Sequence, residues 1–278
     1  MSVKELKSID ITSFTVISAG IATLTSILIS LLIVIGLSVS VPNSFGIMVL
    51  IIPTIVCGIL ISSIFLYFSE GYLYNLIAKK ITLKFDIEDG TVNKISTKET
   101  ALIVLLITLI ISIVVYLAFS LILPLFLSSI ITIFMYAYLN DIAAIFYQLM
   151  IVVASPLFII IAIIAGAIIT SVFALLGSYI FNILGDSERG IKVKLSKENN
   201  LTVLDSIDPL SFAISIGAIG LILNIILGII LIISGYEMLY ALTNILTIFI
   251  SIFIGCLLIA AFYNFLAPRI GKLKFELE

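Results

Sequence analysis

Ser8-Ile9-Asp10-Ile11-Thr12-Ser13-Phe14 recurs as Ser206-Ile207-Asp208-Pro209-Leu210-Ser211-Phe212, and each copy stands directly before a long apolar run. A second apolar run follows in both places, ending in Tyr74-Asn75 and in Tyr263-Asn264. A weaker middle copy opens at Lys94-Ile95-Ser96-Thr97-Lys98-Glu99 and ends at Phe181-Asn182. The pattern predicts three tandem units of two membrane helices each, at residues 1–89, 90–198 and 199–278, with an insertion at 124–149 in the middle unit.

Apolar residues make up 62% of the chain and charged ones 11%, with mean hydropathy +1.38. No soluble domain of this length could carry that composition on its surface, so the expected class is an α-helical multi-pass membrane protein with the lipid bilayer as its surroundings. A net charge of -2 argues against a nucleic-acid partner, because binding that polymer requires Lys and Arg to neutralise phosphates.

The 14 Lys and Arg fall in four places: Lys4 and Lys7, Lys79 to Lys98, Arg189 to Lys197, and Arg269 to Lys274. The intervening turns, Pro42 to Gly46, Asn140 to Met150 and Gly235 to Thr243, carry only Asp141 and Glu237. Basic residues collect on the cytoplasmic side, so a cell-membrane protein with both termini and both charged linkers in the cytoplasm is expected. The number of crossings must then be even. The first apolar run, Phe14 to Val39, is too long for a signal-peptide core and reads as a retained helix.

Runs of about 20 residues suffice to span a bilayer. Six qualify: Phe14 to Val39, Ile47 to Tyr74, Thr100 to Leu123, Met150 to Ile183, Phe212 to Ile233 and Leu239 to Leu266. Leu125 to Leu139, following Pro124, is too short, and a seventh crossing would put Arg189 to Lys197 outside. It reads as an interfacial or re-entrant element anchored by Tyr136, Tyr138 and Tyr147.

Each unit opens with a helix-start signal. Asp10, Ser96 and Asp208 occupy N-cap positions, Ser96 and Glu99 have capping-box spacing, and Pro209 suits the first helical position. Capping explains the two Asp better than ligand binding does. Each unit closes on an aromatic-Asn pair one turn after a small residue. Asn75, Asn182 and Asn264 either end their helices in the left-handed conformation or form a polar cluster about a central axis.

After each Asn the periodicity changes. Ile81 to Glu88, Ile191 to Leu195 and Leu273 to Leu277 alternate apolar and polar residues, as strands do. Asp89-Gly90 is a strong hairpin signal leading into Thr91 to Ile95, and Asn199-Asn200 a weaker one leading into Leu201 to Ile207. Val3 to Ile9 is the natural partner of the last strand. A small cytoplasmic β layer is therefore expected, its three hairpins closed about a pseudo-threefold axis.

On Ile207-Asp208-Pro209, Tyr263-Asn264, Gly271 and the alternating last strand, the third unit resembles a two-helix transmembrane family of unknown function known from actinobacteria. The likeness covers residues 201–278 best. It implies a fold unit repeated three times here and no particular activity.

The chain has no His, which removes Ser-His-Asp and Cys-His catalysis and His-bearing zinc sites. Cys57 and Cys256 differ in depth by roughly 15 Å, too far for a disulfide or a shared metal. No phosphate-binding glycine loop precedes a helix. Neither a catalytic residue nor a cofactor or metal site is expected, and the chain reads as no enzyme.

Glu70, near the cytoplasmic end of its helix, either snorkels toward Lys79 or Lys80 or lines a pathway. Asn224 is the clearest polar residue at depth, as interhelical glue or as part of a substrate site. The reading is a membrane scaffold or accessory subunit presenting its β layer to a cytoplasmic or membrane protein partner. Its rival is a small-solute or ion transporter or channel with parallel repeats.

Overall fold

Backbone N–H and C=O groups in hydrocarbon have no water to bond, so long apolar runs fold as helices that satisfy themselves. A computed structural model, which describes residues 3–40, 45–136, 140–153, 155–185 and 190–278, bears this out. Six of its helices are long and apolar enough to cross a membrane, which makes the chain a multi-pass membrane protein.

In chain order the elements are β1 (Val3–Ile9), α1 (Ile11–Ser40), α2 (Phe45–Ile77), β2 (Leu83–Glu88), β3 (Thr91–Ile95), α3 (Thr97–Tyr136) and α4 (Asn140–Val153). There follow α5 (Pro156–Gly185), β4 (Ile191–Glu198), β5 (Leu201–Ile207), α6 (Pro209–Ile233), α7 (Met238–Ile270) and β6 (Lys274–Leu277). The chain divides into two compact units: Met1–Thr100 with Leu175–Glu278, and Ala101–Ala174.

In the first unit the strands close into an antiparallel barrel in the order β1-β2-β3-β4-β5-β6, with β6 returning to β1. The strands thus form more than a layer, because closure gives each of the six a hydrogen-bonded neighbour on both of its edges. Leu6 pairs with Leu277, Ser8 with Glu276 and Ile9 with Phe275. Beyond them, Glu5 and Glu278 exchange backbone hydrogen bonds of 2.7 and 3.0 Å.

The two hairpin turns explain their sequences. Asp89 and Gly90 have φ of 48° and 75°, and Asn199 and Asn200 have 48° and 69°. Two successive positive φ values are the two-residue turn whose twist matches paired strands. Gly90 has a second constraint, since a Cβ there would lie 2.7 Å from the Val193 carbonyl oxygen.

Around the barrel, α1 packs on α2 and on α7, and α6 on α7. Small residues allow the close approach: a Cβ at Gly220 would meet Ile252 at 2.5 Å, and one at Gly228 would meet Ile245 at 2.6 Å. Ile17, Leu204, Tyr263, Leu266 and Ala267 form the buried core where α1 and α7 meet the barrel.

The second unit corrects the reading of the insertion. Leu125 to Tyr136 is no separate element, for α3 runs unbroken through Pro124 to Tyr136, and the rest of the stretch to Leu139 lies outside the described residues. Proline is tolerated in membrane helices, where neighbouring turns re-satisfy the freed carbonyl. The supposed turn from Asn140 is itself helical, with Asp141 in the favoured first turn of α4. Ala143, Phe146 and Met150 are its better-covered face, and Phe146 stacks on Phe134 at 5.4 Å. Ser155 precedes Pro156, and that proline starts α5 afresh, so Met150 to Ile183 is not one run. Ser171 Oγ donates to the Ala101 carbonyl at 2.9 Å, tying α5 to α3. Pro42, Asn43, Tyr138 and Arg189 lie outside the described residues.

Candidate functional site

Among the described residues, the three strand-to-helix joints share one set of side-chain hydrogen bonds between segments far apart in the chain. Asn75 in α2 accepts the Ile9 N–H on Oδ1 at 2.8 Å and donates Nδ2 to the Ile9 carbonyl at 2.8 Å. Asn182 in α5 does the same with Ile95, at 2.8 and 2.9 Å, and Asn264 in α7 with Ile207, at 2.9 and 2.7 Å. A side-chain amide here stands in for a strand, because exchanging both bonds with one residue is what a hydrogen-bonded antiparallel pair does.

Register explains why each joint needs it. Pairing of β1 with β2 stops at Leu6 and Leu83, that of β3 with β4 at Val92 and Ile191, and that of β5 with β6 at Val203 and Lys274. Ile9, Ile95 and Ile207 continue past those last pairs. Each is paired on one edge, with Phe275, Phe85 and Val193 respectively, but the N–H and C=O groups on the other edge have no strand beside them, and burial would otherwise leave them unsatisfied.

These Asn residues therefore do not end helices in the left-handed conformation. α2 continues to Ile77, α5 to Gly185 and α7 to Ile270. Among the described non-glycine residues, positive φ occurs only at Asp89, Asn199 and Asn200. Nor do the amides bond one another: each bonds its own isoleucine, and Asn182 Nδ2 also donates to Thr97 Oγ1 at 3.1 Å.

The preceding aromatic adds a second tie. Tyr74 Oη donates to the Leu6 carbonyl at 2.6 Å, and Tyr263 Oη donates to the Leu204 carbonyl. Both acceptors lie three residues before the clamped isoleucine. Phe181 holds the corresponding place before Asn182, is buried, and has no hydroxyl.

Asp10 and Asp208 are N-caps, as their sequence context predicts. Asp10 accepts the Ser13 N–H at 2.7 Å and Asp208 the Ser211 N–H at 2.8 Å. Ser13, Ser96 and Ser211 then turn to the barrel, where their hydroxyls accept the N–H of Lys274, Lys84 and Lys192 at 3.1, 3.0 and 3.0 Å. The same three lysines accept, on their carbonyls, the N–H of Asp10, Ser96 and Asp208 at 2.9 Å each. Ser96 thus serves the neighbouring strand with its hydroxyl.

The two remaining candidates are less engaged. Glu70 is half-buried one turn after Tyr67, whose ring meets Phe14 edge-on at 5.9 Å. Among the described residues no ion pair joins Glu70 to Lys79 or Lys80. Asn224 donates Nδ2 to the Gly220 carbonyl of its own helix at 2.7 Å.

On the barrel exterior, Glu5 lies 2.6 Å from Lys7 Nζ and 3.1 Å from Lys84 Nζ. Hydrogen bonds from these two ammonium groups pull the Glu5 carboxyl down to about 2, and Glu5 in turn raises Lys7. Lys272, 2.7 Å from Asp205, lowers that carboxyl. Lys274 pairs with Glu198 at 3.0 Å. The alternating strands make this charge belt legible, though not which acid meets which base.

Within the barrel the inward apolar side chains leave a partly open pocket between them. A cavity of about 240 Å³ is lined by side chains from all six strands together with Phe14 from the first turn of α1. A second cavity, of about 430 Å³ among α1, α2 and α7, is lined by Ser18, Thr25, Ser26 and Tyr67 among apolar neighbours. Among the described residues no group of three or more Cys, Asp or Glu is placed to hold a metal.

No family model, curated protein or solved structure matches this chain.

Proposed function

We propose that the chain is a non-enzymatic membrane scaffold or accessory subunit whose barrel stands on the cytoplasmic side and docks a protein partner. The first and third segments, each strand-helix-helix-strand, and the middle one, which carries α4 in addition, are read as one unit repeated about a pseudo-threefold axis. The likeness of the third segment to a two-helix family is read as kinship of that unit alone.

The observation that carries this reading is where the polar groups go. Along α1 four hydroxyls are spent on their own helix: Thr23 on Ala19, Thr25 on Ile21, Ser26 on Thr23 and Ser30 on Ser26. The barrel strands instead carry a belt of charges, Glu5, Lys7, Lys84, Glu198, Asp205 and Lys274, and Lys192 and Lys194 on β4 are exposed. Segregation of Lys and Arg supports the cytoplasmic placement.

The test joins two measurements. Chemical crosslinking in intact cells is expected to recover one partner with the wild-type chain and to lose it in the Lys192→Glu, Lys194→Glu double variant. A cysteine placed at Asp89 is expected to resist an impermeant reagent from outside, and one at Glu237 to react. Recovery unaffected by charge reversal, or outside labelling at position 89, contradicts the reading.

The cavity among α1, α2 and α7 favours a second reading, a small-solute or ion transporter. Saturable uptake into liposomes that Ser26→Leu abolishes would support it. Flux no greater than in protein-free liposomes supports the scaffold.

A further inference from the structure

We infer that the barrel interior is a binding site for a hydrocarbon segment. Alternation along the strands turns Leu6, Phe85, Val193, Leu195, Leu204 and Phe275 inward, and Phe14 joins the lining from α1. Protein interiors ordinarily pack as tightly as organic crystals. About 240 Å³ here is left unfilled.

The space cannot readily collapse. A closed ladder of six strands fixes the wall, and the amides of Asn75, Asn182 and Asn264 hold Ile9, Ile95 and Ile207 where the strands leave it. The lining side chains offer water no hydrogen-bond partner, so an apolar occupant that displaces it gains by burying apolar surface. A cavity of about 150 Å³ with Leu, Ile and Phe walls stays dry and takes benzene. The larger space here suits a small aromatic molecule or the end of an alkyl chain.

The same lining excludes polar ligands, whose groups would be buried without a hydrogen bond. Any head group must stay outside the barrel. Two sources present such a segment: a free apolar solute, and the acyl tail of a bilayer lipid.

The full chain in phosphatidylcholine nanodiscs is titrated with fluorobenzene and followed by fluorine NMR, while native mass spectrometry counts retained phosphatidylcholine. Saturable fluorobenzene binding is expected in the wild type, weakened roughly tenfold or more by Val92→Phe and by Leu195→Phe, which fill the space from different walls. Phe85→Ala enlarges the space and is expected to admit 1-fluoronaphthalene at least as well as fluorobenzene. One tightly retained lipid in the wild type, lost in both filling variants, supports the site with a lipid as its source. Absence of both fluorobenzene saturation and a retained lipid in the wild type overturns the inference. Equal occupancy in the wild type and the filling variants also overturns it.

Discussion

Asn264 holds both backbone groups of Ile207, accepting its N–H at 2.9 Å and donating to its carbonyl at 2.7 Å, so one side chain completes the barrel where the strands diverge. Asn75 and Asn182 do this for Ile9 and Ile95. The helices are thereby attached to the barrel by directed bonds as well as by packing.

Replacing the amide leaves two half-buried backbone groups without partners. Asn264→Ala is expected to cost about 2 kcal/mol, near 1 for each bond. Asn264→Asp is expected to cost more, because an ionised carboxylate cannot donate and sets its charge against the Ile207 carbonyl. Chemical unfolding in detergent checks both, and a loss under about 0.5 kcal/mol for either would sink the clamp.

The turn at Asp89-Gly90 is constrained twice, by φ of 75° and by the Val193 carbonyl 2.7 Å from a Cβ. Gly90→Ala is expected to destabilise by about 1 to 3 kcal/mol. At the other hairpin, Asn200→Gly relieves a φ of 69° and is expected to leave stability unchanged or slightly raised. Thermal unfolding of the two variants separates these outcomes, and equal midpoints would contradict the account.

Acid should weaken the barrel at Glu5. The carboxyl titrates at about 2 when folded, against an ordinary 4.5, so its contribution is complete above 4.5 and lost as pH falls toward 2. Lys7 is raised above 10.5, so its contribution is complete below that value and lost as pH rises through the folded one. Unfolding midpoints of wild type and Glu5→Gln are expected to converge between about pH 4.5 and pH 2. A constant difference across that window would refute the assignment.

What was legible in the sequence follows from the physics of each element. The six spans declare themselves because lipid demands long apolar runs, and the strands because a half-buried strand alternates. Barrel closure could be anticipated from Val3 to Ile9 and the last strand, each otherwise without a partner. The Tyr-Asn pairs were visible as a pattern, but their role was not, since an amide's partner depends on where neighbouring strands stop. Asn140-Asp141 reads as a turn from polarity alone and proves to be a helix start. Pro124 reads as a break for the same local reason. The lumen's unfilled volume has no sequence signature, because it depends on how the barrel closes.

Pairing of β1 with β6 is the claim on which the barrel and its interior rest. Ser8 Oγ donates to the Glu276 carboxylate at 3.0 Å, and the two residues are paired in register. With Cys57 and Cys256 replaced by alanine, a Ser8→Cys, Glu276→Cys variant can be oxidised in the membrane and separated under non-reducing conditions. A disulfide within one chain, formed rapidly and in high yield, is the expected result. Crosslinking only between separate chains, or none at all, would contradict closure.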